Sequence, residues 1–180
     1  MSLKIAFELS DADLEYFRSS MHRVKAKARG QEERAIIAAA SRLARQTAAR
    51  PLPDFIQDRL KQLDTLIQML EDADWRLEGK HRERVLGALA YFAEPIDLIP
   101  DEIPGFGFLD DAIMVELVVQ DLRPELDGYA DFCRFREEQE RQAELDPEQR
   151  RARLERRRRA MYQRIDSRRE RRGGSLFVLS

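Results

Sequence analysis

Apolar residues recur three and four positions apart along most of this 180-residue chain, the period of helices that bury one face. The first stripe runs Leu14, Phe17, Met21, Val24 and Ala28. Ser10, with Asp13 three positions on, resembles a capping box and places the start of that helix. A second helix covers about 31–49, with Ile36, Ala40, Leu43 and Thr47 on one face, and the prolines at 51 and 53 interrupt it. A third starts near Pro53 or Asp54 and shows Ile56, Leu60, Leu63, Ile67 and Leu70. Beyond a junction near Gly79, a fourth runs from Lys80 to Ala93 with Val85, Leu89 and Phe92 facing in, until Pro95 ends it.

A proline- and aspartate-rich corner follows, and then "DDAIMVELVVQDL", apolar on nearly every side except the stripe Glu116, Gln120 and Arg123. A helix of that kind belongs at the centre of a bundle. Pro124 suits the first turn of a sixth helix, through Tyr129, Phe132 and Cys133. From Glu137 the apolar period fades. Asp146 before Pro147 marks the cap of an Arg-rich helix whose larger aliphatics are Leu154, Met161 and Ile165, and Gly173-Gly174 ends it. Period two appears only in Leu3–Leu9, a short strand signal with which the apolar "SLFVLS" at 175–180 would pair. The expected fold is therefore all-α: a single bundle of about six helices over 1–140, then a charged helix and tail over 141–180.

Charge changes this picture at one place. Residues 150–172 hold 12 Arg and three acids, a local +9, and against a net charge of −2 the remainder carries −11. A basic tail on an acidic body either folds back on that body or reaches a polyanion. The longest stretch free of charge is Val85–Ala93, nine residues, short of the roughly 20 a membrane helix needs. No apolar leader-like run opens the chain, so a cytoplasmic location is expected, with a peripheral membrane role still open. Cys133, the single cysteine, sits among aromatics in "DFCRF" and reads as a buried free thiol.

The corner "YFAEPIDLIPDEIPGFGFLDD", residues 91–111, supports two readings. In the structural one, Asp97 and Asp101 cap single turns, and Asp110 and Asp111 stand at a helix start, where carboxylates accept backbone N–H groups and face the positive end of the dipole. The prolines fix φ, and Gly105 and Gly107 supply backbone freedom. In the other, Asp97, Asp101, Asp110 and Asp111, with Glu94 and Glu102 near, surround a hard cation such as Mg²⁺ or Ca²⁺. The spacing is not that of the twelve-residue calcium loop, and no His or Cys lies near enough for zinc. His22 and His81 sit among charged residues and are expected at solvated surface positions. No nucleophile–base spacing and no phosphate loop stands out, so no catalytic residue is assigned.

These same residues carry a family resemblance. Tyr91, Pro95, Asp97, Leu98, Ile99, Pro100, Asp101, Ile103, Pro104, Gly107, Asp110 and Asp111 reproduce the signature of the YkvA family, a small bacterial domain of unknown function. The resemblance spans about 84–122. It implies a helical domain and assigns no reaction, cofactor or catalytic residue; some relatives are described as membrane proteins with more apolar helices around the same corner.

The tail resembles a nucleic-acid-binding arm through Arg150, Arg151, Arg153, Arg156, Arg157, Arg158 and Arg159. Apart from Tyr162 it lacks the interleaved aromatics that stack bases. Its apolar face is thin for a membrane anchor. The expected function is a non-enzymatic scaffold or interaction protein. A divalent-cation module or cation-dependent enzyme at the corner, and a nucleic-acid accessory protein acting through the tail, stand as alternatives. The helical stripes leave room for a homodimer. If the corner aspartates are caps, Asp101→Ala and Asp110→Ala each lower stability by about 1 kcal/mol, read by thermal melting.

Overall fold

A computed structural model describes residues 10–28, 32–93, 108–141 and 146–172. The elements are α1 (Asp11–Ala28), α2 (Glu33–Ala48), α3 (Asp54–Glu71), α4 (Gly79–Leu89), a 3₁₀ turn (Ala90–Ala93), α5 (Leu109–Asp121), α6 (Arg123–Arg141) and α7 (Pro147–Arg172). Among the described residues there is no strand. The fold is an all-α bundle. Leu3–Leu9 and the stretch 175–180 lie outside the described residues.

The helix ends follow local chemistry. Ser10 and Asp13 form the reciprocal cap: the Ser10 amide and hydroxyl donate to Asp13 Oδ2 at 2.9 and 2.7 Å, and the Asp13 amide donates to Ser10 Oγ at 3.3 Å. The serine bonds hold the Asp13 carboxyl below the usual carboxylate range. At α7 the Asp146 carboxylate accepts from the Glu148 amide at 3.2 Å. Phe108 precedes α5 in the left-handed region, φ 67°, and is buried. The sequence assigns that backbone freedom to Gly105 and Gly107, which lie outside the described residues.

The core is built on α3, whose Ile56, Leu60, Leu63, Leu66, Ile67, Met69 and Leu70 are buried between α2 and α5. On α2 the buried positions are Ile36, Ala40, Ala44 and Thr47. Leu43, expected on the inner face, is only partly buried, and Ala44 takes its place. Small residues four apart let the α2 and α3 axes approach closely. The Thr47 hydroxyl turns back to the carbonyls of Leu43 and Ala44 at 2.9 and 3.0 Å, so a polar atom is buried with its bond made. Arg82 of α4 pairs with Glu33 of α2 and donates to the carbonyls of Leu70 and Leu77 at 2.9 and 3.2 Å. One guanidinium thus ties α2, α3 and α4 together.

The Arg-rich helix belongs to this core. Leu154, Met161 and Ile165 are buried with the rest of it. Contacts of Gln139 with Arg153, Asp131 with Arg164 and Asp127 with Arg168 run in opposite chain directions, so α6 and α7 form an antiparallel pair. α6 ends at Arg141, and the buried apolar cluster includes residues of α7. At Gly128 the pair is close: a Cβ there would stand 2.9 Å from Ile165 Cδ1, and the tip of Ile165 would have to shift. Beneath them lies Trp75, fully buried, ringed by Tyr129, Phe132 and Tyr162 at centroid distances of 5.6, 5.2 and 4.9 Å.

Ile165→Ala removes a fully buried side chain from this contact and is expected to cost about 2–5 kcal/mol. Because Trp75 is the single tryptophan, its emission reports the change directly. A red shift with loss of stability is the expected result.

Candidate functional site

Asp97 and Asp101 lie outside the described residues. Asp110 and Asp111 stand in the first turn of α5, Asp110 buried and Asp111 half-buried. Among the described residues, no three His, Cys, Asp or Glu side chains gather as they would around a metal ion.

The seven arginines do not form one surface either. Arg150, Arg151 and Arg158 line a hollow at the start of α7. Arg157 lies over the ring of Phe135, 5.2 Å from its centroid. Arg153, Arg156 and Arg159 are exposed; Arg153 donates across to Gln139 Oε1 of α6 at 3.3 Å and Arg159 pairs with Glu155. A helix turns 100° per residue, so a run of consecutive arginines must point in every direction.

The strongest electrostatics lie where the sequence gives little warning. Glu125, one residue after Pro124, is wholly buried. Arg169 of α7 meets it with both arms of its fork, Nε to Oε1 and Nη2 to Oε2, each at 2.6 Å. The same Nη2 donates to the Asp121 carbonyl at 2.9 Å, so the guanidinium also finishes the end of α5. From α4, Arg84 Nη1 reaches Glu125 Oε1 at 3.4 Å and His81 Nδ1 lies 3.8 Å from it. Burial pushes the Glu125 carboxyl up, but its contacts with His81 and Arg169 outweigh that and hold it below the usual range.

His81 corrects the sequence expectation of a solvated histidine: it is 5% exposed. Its Nε2 lies 3.5 Å from Asp166 Oδ1, which also takes Lys80 at 2.8 Å, and Tyr162 stacks on its ring at 4.9 Å. The charged neighbours along the sequence become partners once α7 covers the site.

A second buried carboxylate anchors the α3–α4 connection. Asp72 Oδ1 accepts the amides of Asp74 and Trp75 at 2.9 and 3.0 Å. Its Oδ2 accepts from the Tyr129 hydroxyl at 3.0 Å and from Arg136 at 2.8 Å. Burial opposes ionisation here too, and the Trp75 amide, Arg136 and Tyr129 together bring the Asp72 carboxyl below the usual range. The Tyr162 hydroxyl closes the turn from the other side, shared between the carbonyls of Trp75 and Arg76 at 2.9 Å each. Burial pushes the free Cys133 thiol up, which leaves little thiolate for nucleophilic work.

These arrangements satisfy charges rather than present them. Glu125 and Asp72 have their lone pairs occupied, and both His81 nitrogens face carboxylates under a tyrosine roof. They lock α4, α6 and α7 into one register.

A family profile described as "Protein of unknown function (DUF1232)" matches residues 84–117, from within α4 through the corner into α5. Over 76 residues the chain is 36% identical to the uncharacterized membrane protein YkvA of Bacillus subtilis (strain 168), a stretch covering 39% of this chain and 70% of the relative. No solved structure matches. No helix of the described residues is long and apolar enough to cross a membrane. The profile's segment stops short of α6 and α7, so the Arg-bearing helix lies outside it.

Both buried carboxyls titrate lower in the folded chain than when unfolded. Their stabilisation is complete above the unfolded range, about pH 4, and is lost as pH falls through the lowered folded values. Asp72→Asn is therefore expected to flatten the acid limb of a stability–pH profile measured by denaturant unfolding. Glu125→Gln strands the Arg169 charge and is expected to cost about 3–5 kcal/mol at neutral pH.

Proposed function

We propose that this chain, which belongs to the DUF1232 family of proteins of unknown function, works without catalysis as an interaction module that holds a nucleic-acid phosphate backbone against the outer face of α7. The observation that carries this reading is the division of labour on that helix. Its inner side is occupied by the body, through Leu154, Met161, Ile165 and Arg169, while Arg153, Arg156 and Arg159 face solvent. The residues between them, Ala152, Ala160 and Gln163, are small or polar and exposed. Such a face offers charge and no stacking platform, which suits contact with phosphates and not the reading of bases. The non-enzymatic part rests on His81, Glu125 and Asp72 being engaged in holding helices together.

A second reading is favoured by the name of the Bacillus subtilis relative, an uncharacterized membrane protein. On it, the same arginines meet anionic lipid head groups at a membrane surface, by charge alone and without insertion.

The two separate in one experiment. Binding of the full chain to a labelled single-stranded oligonucleotide is measured over a series of salt concentrations, beside sedimentation with phosphatidylserine vesicles. The nucleic-acid reading predicts a log–log salt dependence that Arg153→Gln, Arg156→Gln and Arg159→Gln together flatten by about 2, at roughly 0.7 per phosphate lost. Absence of oligonucleotide binding at low salt overturns it. Vesicle binding lost in the triple variant then supports the second reading.

A further inference from the structure

A hollow of about 470 Å³ opens between the α3–α4 connection, the end of α6 and the first turns of α7. Its walls carry four guanidinium groups, Arg76, Arg150, Arg151 and Arg158, with Leu154 as an apolar element. Two of its carboxylates are already engaged, Asp74 with Arg136 at 3.5 Å and Glu155 with Arg159. Glu140 is the third.

Arg158 is the unusual member. It is 9% exposed, on the inner side of α7, and its buried Nε has no hydrogen-bond partner; the buried Nε of Arg150 has none either. Arg169, three turns further along the same side, meets a carboxylate with both arms. A guanidinium cannot shed its charge to escape burial. An unpaired buried cation is destabilising, so a further anion within reach of Arg158 would stabilise these walls. The hollow also faces the N-terminal end of a 26-residue helix, where the backbone dipole adds positive potential. Arg76 reaches it from a left-handed backbone, φ 47°, held by the Tyr162 hydroxyl on the Trp75 and Arg76 carbonyls.

We propose that this hollow is a binding site for a small soluble ligand carrying a diphosphate group. Several guanidinium groups around one hollow match the many acceptor oxygens of two linked phosphates better than those of one. The volume leaves room for a further organic portion of about nucleoside size. The site is distinct from the outer face of α7: Arg153 and Arg156 take no part in it, and Arg159 bears on it only through its pair with Glu155.

The test is calorimetric titration of the full chain with pyrophosphate, orthophosphate and ATP at about 0.15 M salt, near physiological strength. Pyrophosphate is expected to bind saturably at one site, at least about tenfold more tightly than orthophosphate, tenfold being 1.4 kcal/mol. Tighter binding of ATP than of pyrophosphate would assign the remaining volume to a nucleoside. Arg76→Gln and Arg151→Gln, both at exposed positions, are expected to weaken pyrophosphate about tenfold or more each, while a variant with Arg153→Gln and Arg156→Gln alone binds it normally. Arg158→Met is expected to abolish binding without lowering Tm. No saturable binding, binding that survives Arg76→Gln and Arg151→Gln, or loss confined to the Arg153→Gln and Arg156→Gln variant overturns the proposal. So does an Arg158→Met variant that melts lower and still binds pyrophosphate.

Discussion

Glu125 has no exposed surface, and everything around it is arranged to keep its charge tolerable. A bare carboxylate removed from water is strongly destabilising, and only close cations with good geometry offset that. Arg169 provides the bidentate pair, Arg84 a second cation, and the α5 C-terminus shares the same guanidinium. Three helices distant in sequence therefore have one compatible arrangement at this point. A slip of α7 by a turn would remove Arg169 from Glu125 and leave two charges stranded.

That constraint explains how a helix with so few apolar residues can be part of the core. Along its inner side α7 presents Leu154, Arg158, Met161, Ile165 and Arg169, a stripe of helical period in which two positions are arginine. Aliphatic stems of arginine pack as apolar surface, so such a stripe buries well provided each charged head finds a partner. Arg169 has found one. Arg158 has not, and the hollow beside it is where the same helix departs from self-sufficiency. Tyr162 connects the two ends of this seam, stacking on His81 and fastening the turn that carries Arg76.

Much of the scaffold was legible because helix boundaries depend on short-range chemistry. Ser10 with Asp13, the prolines at 51 and 53, and Asp146 before Pro147 each mark an end within a few residues. The inner faces of α3 and α4 were legible as a period; on α2, Leu43 yields to Ala44 because close helix approach, not hydrophobicity, selects the buried position. The polar interior was not legible. Glu125 looks like an ordinary first-turn acid, and His81 lies in "KHRER", which reads as solvated; only the return of α7 buries them. Trp75 in "DADW" was the available signal, since a lone large aromatic between helices needs a cover, and the Tyr162 pointing to it was read as an isolated ring. Of the four aspartates in the corner, loudest in the sequence, only Asp110 and Asp111 lie among the described residues.

The most direct test of α7 as part of the folded core is native-state hydrogen exchange on the full chain. Core amides that exchange only by global unfolding share one opening free energy. If the Glu125–Arg169 seam locks α7 to the bundle, amides around Met161 and Ile165 exchange with the same free energy as those around Leu63 and Leu66 in α3. Exchange of the α7 amides through a separate, much lower-energy opening, with α3 still protected, would contradict the account and return the helix to the status of an appendage.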